Sequence, residues 1–88
     1  MENENGYIRP VVMWFAKQME DSLRRNDHKS GWSDIKSQDL INRIFDELDE
    51  LVEANNQSDR IQESIDVANF AMMVADNEGP KIGNMKSK

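Results

Sequence analysis

Apolar residues recur along this chain at spacings of three and four in three separate stretches, the period of helices with one buried face. No alternating strand pattern competes. Ile8, Val12, Phe15, Met19 and Leu23 form the first stripe, predicting a helix from about Arg9 to Asn26, with Pro10 near its start and Trp14 just beside the stripe. The stretch Asp27 to Lys36, DHKSGWSDIK, breaks the periodicity and reads as a loop. Leu40, Ile41, Ile44, Leu48, Leu51 and Val52 then mark a second helix to about Ala54, with Ser37 expected as its N-cap and Asp39 as a favourable charge in its first turn. Asn55 to Ser58 is a short polar turn. Ser58 is expected to cap a third helix, which runs to about Asn77 and is closed by the Gly79-Pro80 pair.

So short a turn makes the second and third helices an antiparallel hairpin. The expected fold is therefore all-α, a helical hairpin plus an N-terminal helix. From Ile65 to Ala75 the third helix reads IDVANFAMMVA, apolar nearly all round, and a helix without a solvent face in so small a chain needs cover from another subunit. We therefore expect a homo-oligomer, dimer or tetramer, that completes a four-helix-bundle-like core. Residues 8–78 form the domain, between a flexible N-terminus at 1–7 and a flexible C-terminal tail at 79–88, GPKIGNMKSK, which has no core-forming pattern.

Composition narrows the chemistry. The 88 residues include no cysteine and a single histidine, so a metal site here is built from oxygen ligands. A net charge of −6 argues against a partner held by its phosphate backbone, so no nucleic acid polymer is expected. Neither a membrane-spanning apolar run nor a signal peptide is present in the sequence, and the expected setting is soluble and cytoplasmic.

Those oxygen ligands fall into register across the hairpin. Each step up one antiparallel helix is a step down the other, so residue numbers of facing positions add to a constant. Glu47 with Asp66 gives the same total as Glu50 with Glu63, and both pairs are symmetric about the Asn56/Gln57 bond, where composition places the turn. On each helix the i,i+3 spacing sets two carboxylates about 5 to 6 Å apart at Cβ. Helices pack roughly 8 to 10 Å apart, so Glu47, Glu50, Glu63 and Asp66 converge where one or two hard cations could sit. Mg²⁺ fits such a donor set, with Mn²⁺ as a substitute. Asp46, Asp49 and Glu53 offer the same spacing in a neighbouring register, but opposite them stand Val67 and Ser64, so they are assigned to the solvated face.

With these residues in view, ELDE, a twelve-residue gap and ESIDVANFAMMVAD resemble the MazG-like, all-α nucleoside triphosphate pyrophosphatases, especially their short phage-type members. That family's signature, Glu-x-x-Glu then Glu-x-x-Asp, falls on Glu47, Glu50, Glu63 and Asp66. The resemblance extends upstream to FAKQMEDSLRRNDHKSGW and covers roughly residues 14 to 77. It implies Mg²⁺-dependent hydrolysis of a nucleoside or deoxynucleoside triphosphate between the α and β phosphates, releasing monophosphate and pyrophosphate. One of Glu47 and Glu50 would then take the proton of the attacking water. The chain ends soon after the third helix, so a fourth helix of the family's bundle is missing or comes from another chain. For a phage-encoded member the setting is the host cytoplasm.

Further residues suit a nucleotide. Arg25 and Lys29 are candidate phosphate contacts, although Arg24 and Arg25 also complement the carboxyl end of the first helix. His28 either touches phosphate or ends that helix. Trp32, in a polar loop, could stack on a nucleobase or plug a subunit interface. Asn69, one turn beyond Asp66, could bond base, ribose or a metal-bound water, or be a satisfied interior amide. Two other functions fit the same pattern: a non-catalytic oligomeric adaptor with solvated acids, and a metal-dependent nucleotide sensor.

Overall fold

The three apolar stripes become three α-helices: α1 over Pro10–Arg25, α2 over Ser37–Glu53 and α3 over Gln57–Glu78. A computed structural model gives this fold; it describes residues 7–26 and 31–79. Among the described residues there is no strand, and the all-α class follows. The tail from Pro80 onward, the first six residues, His28 and Lys29 lie outside the described residues.

Helix starts differ from the reading of serines as caps. Pro10 occupies the first turn of α1, where its missing N–H costs nothing. Ser37 lies inside α2, whose cap is Lys36 without a side-chain bond. The Ser37 hydroxyl is hydrogen-bonded instead to the Glu78 carboxylate, pinning the start of α2 to the end of α3. Ser58 likewise lies inside α3. The cap there is Asn56, whose Oδ1 accepts from the Asp59 backbone N–H at 2.8 Å while its Nδ2 donates to the Asp59 carboxylate at 2.9 Å. Asn56 wins because its side chain reaches the N3 amide, which shortens the turn to Ala54, Asn55 and Asn56. At the far end the Gly79 N–H closes α3 on the Ala75 carbonyl.

Helices α2 and α3 pack along their length as the expected hairpin, while α1 packs on α3 and makes no packing contact with α2. Leu40 and Ile65 are the fully buried apolar side chains among the described residues, so the core is thin. Ser22 and Asn69 are buried at the α1–α3 crossing, where Asn69 Nδ2 donates to the Met19 carbonyl at 3.3 Å. The first stripe is buried only in part: Phe15, Met19 and Leu23 are half-buried, but Ile8 and Val12 remain exposed.

A carboxylate cluster at the mouth of a cleft

The hairpin register brings Glu47, Glu63 and Asp66 together, each offering an oxygen within 4.8 Å of the others. All three are half-buried. Oxygens around a single Mg²⁺ lie roughly 3 to 4 Å apart, given bonds of about 2.1 Å, so a small rotamer adjustment lets this trio embrace one ion. The donor set, three carboxylates, also suits a hard cation. Glu50 is exposed and stands outside the trio, near enough for its charge to be felt but not packed into the cluster. Asp46, Asp49 and Glu53 are exposed, on the solvated face.

Crowding changes the chemistry of Glu63. Burial, a hydrogen bond with Glu47, and the negative charges of Asp66, Glu47 and Glu50 raise its pKa from 4.5 to about 7. Withdrawal from water disfavours the carboxylate, and the neighbouring anions add to the same direction.

Two basic residues flank the acids. Arg25 Nη2 donates to Gln62 Oε1 at 3.3 Å, and Gln62 Nε2 donates to Asp66 Oδ1 at 3.0 Å, so an arginine of α1 is tied through one amide to a cluster carboxylate. Arg43, one turn before Glu47 on α2, lies over the Phe70 ring with 5.0 Å to the centroid. Neither Gln62 nor Arg43 was singled out from sequence. Their signal was nonetheless available, since each lies four residues before a cluster acid on the same helix face.

Beside the cluster opens a cleft of about 690 Å³ between the end of α1, the 31–35 segment and the hairpin. Glu47 and Asp66 line it, and Trp32, Leu40, Phe70 and Met73 give it an apolar part beside polar residues such as Asp39, Arg43 and Asn69. Trp32 is half-buried and fixed: its Nε1 donates to Asp76 at 3.0 Å, and Asn77 Nδ2 donates to the Trp32 and Ile35 carbonyls at 2.9 and 3.2 Å. Asparagine and aspartate on the last turns of α3 thus hold the loop as one wall of the cleft. Trp14, by contrast, is on the outer surface and 46% exposed.

No protein-family model matches the chain, and no solved structure matches it. An uncharacterized protein of Archaeoglobus fulgidus is 38% identical over 60 residues, a match covering 65% of this chain and 64% of that protein. The chain thus spans less than two thirds of that relative's length, and the relative's description states no activity.

Proposed function

We propose that this protein is a MazG-like, Mg²⁺-dependent nucleoside triphosphate pyrophosphohydrolase, converting a nucleoside or deoxynucleoside triphosphate to its monophosphate and pyrophosphate. The observation that carries the reading is the convergence of Glu47, Glu63 and Asp66, of which Glu47 and Asp66 also line a cleft that contains Trp32 and Phe70. Glu47, Glu63 and Asp66 would hold the ion, with Glu50 available at the rim. When bound, Mg²⁺ neutralises triphosphate charge and the charge that develops during phosphoryl transfer. Arg25 and Arg43 flank the acids and would clamp phosphate oxygens with their planar forks. Glu47 or Glu50 takes the proton of the attacking water. The apolar end of the cleft, walled by Trp32 and Phe70, accommodates the base.

A second copy of the chain is part of this proposal. The α2 face carrying Phe45, Leu48 and Val52 is exposed, Val52 at 80%, and so is the α1 face carrying Val11 and Trp14. Helices with apolar residues on their outer faces gain by burying them against another subunit.

The test is turnover of all eight common nucleoside and deoxynucleoside triphosphates in Mg²⁺, with products identified, alongside melting curves with and without the metal. A ligand bound only by the folded protein raises its melting temperature. We expect pyrophosphate from at least one nucleotide, a Mg²⁺-dependent rise in melting temperature that Glu47→Gln abolishes, and little effect of Asp49→Asn. No pyrophosphate from any nucleotide sinks the enzyme, and metal-dependent nucleotide binding without turnover identifies a sensor.

A further inference from the structure

The Asn69 side chain is 95% buried on the relative exposure scale, at 5% exposure, and borders the cleft. Its two polar ends differ. Nδ2 donates to the Met19 carbonyl, whereas Oδ1 is buried with no hydrogen-bond partner. The carbonyl of Met19 fixes which way the amide faces, since the reversed amide would set oxygen against oxygen. What Asn69 presents beyond that bond is therefore an acceptor. Leaving a buried acceptor unpaired costs the desolvation of that group with no bond in return, which a protein seldom bears without a use.

The surroundings indicate what could pair with Oδ1. Asp66 lies one turn before Asn69 and Phe70 directly after it, so the amide stands where the acidic wall meets the aromatic one. Oδ1 is closed off from solvent, so a ligand reaches it only when a neighbouring side chain moves; Met73, one turn further on the same face and bordering the same cleft, has a flexible thioether side chain that can shift in this way. The fixed indole of Trp32 supplies a flat surface on which a planar heterocycle can rest.

We propose that Asn69 is a specificity-determining acceptor that selects a heterocycle bearing an N–H donor, an imino N–H or an exocyclic amine, on the edge turned into the cleft. It deepens the nucleotide reading above, on which it rests for the identity of the ligand. A heterocycle offering only acceptors at that edge leaves Oδ1 unpaired and adds a second acceptor against it, which is why such a site discriminates strongly.

The experiment uses nucleoside monophosphates, whose binding is measured by calorimetry on the full chain and needs no turnover. Each of the common monophosphates is paired with a derivative whose base N–H donors are methylated away, and ribose 5-phosphate serves as the base-free reference. For the preferred nucleotide we expect the donor-blocked derivative to bind about tenfold or more weakly, the cost of roughly one desolvated hydrogen bond. In Asn69→Leu, which fills the same space without an acceptor, the two should bind within about threefold of each other, since nothing is left to pair. Equal binding of the pair by the unmodified protein overturns the proposal, as does discrimination that persists in Asn69→Leu. So does base-containing ligand that binds no better than ribose 5-phosphate. If Asn69→Leu fails to fold, the paired derivatives on the unmodified protein decide alone. Selective base binding without pyrophosphate release overturns the enzymatic reading and leaves Asn69 in its role.

Discussion

A carboxyl group that keeps its proton to about pH 7 links folding to acidity in the direction opposite to an ordinary ion-paired acid. The folded-state pKa of Glu63 lies above its unfolded value of 4.5, so between these limits the folded chain binds more protons than the unfolded one. Its contribution to stability is present below about 4.5 and is lost as pH rises through about 7. In metal-free protein, the melting temperature relative to Glu63→Gln should therefore fall across that interval, measured by thermal denaturation at matched pH; a constant difference would contradict the shift. If Mg²⁺ binds as proposed it would take the place of that proton, so adding Mg²⁺ near neutral pH should release protons into a weak buffer. Arg43→Gln should weaken triphosphate binding about tenfold, the scale of one charge-assisted hydrogen bond, while leaving the Mg²⁺-dependent rise in melting temperature intact. The sequence register made Glu47, Glu63 and Asp66 neighbours because antiparallel pairing about a tight turn leaves little freedom. It could not place Glu50 at the rim, since that depends on the rotation of α2 about its own axis. Arg43 and Gln62 escaped notice for a different reason: a lone polar residue beside a carboxylate motif resembles any solvated helix position.

At the scale of elements, apolar periodicity located all three helices and the hairpin, and only their ends differed. Caps depend on side-chain reach over two or three residues, which several polar candidates satisfy equally on paper. Ser58 and Asn56 are both polar and two residues apart, yet Ser58 falls inside the first turn of α3 and it is Asn56 that accepts from the N3 amide. Replacing it by alanine should cost about 0.5 to 2 kcal/mol, the usual worth of an N-cap. For a domain of this size that is a fall in melting temperature of roughly 4 to 8 °C per kcal/mol. Ser58→Ala should have little effect by the same measurement. The loop holding Trp32 was legible as a loop, but its attachment to α3 was not: Asp76 and Asn77 are far away in sequence, and polar residues near a helix end ordinarily face water.

The whole molecule has a thin interior and generous apolar exterior. Leu40 and Ile65 are its buried apolar residues among those described, while Phe45 and Val52 on α2 and Val11 on α1 lie open. Sedimentation of the protein at micromolar concentration should give an oligomer, and Val11→Lys combined with Val52→Lys should shift it toward monomer with retained helical circular dichroism. A monomeric parent protein would contradict the proposed second subunit. That, among the described helices, α1 packs on α3 and not on α2 also has a kinetic consequence. A helix secured along one side by half-buried contacts opens more readily than a hairpin paired along its length. Amide protons of α1 should thus exchange with deuterium well before those of α2 and α3. Because Ser22, Leu23 and Asn26 form part of the cleft wall, a ligand seated there braces the loose helix against the hairpin. Slowed exchange confined to α1 would then register occupancy of the cleft from a distance, even where no bond in the ligand has been broken.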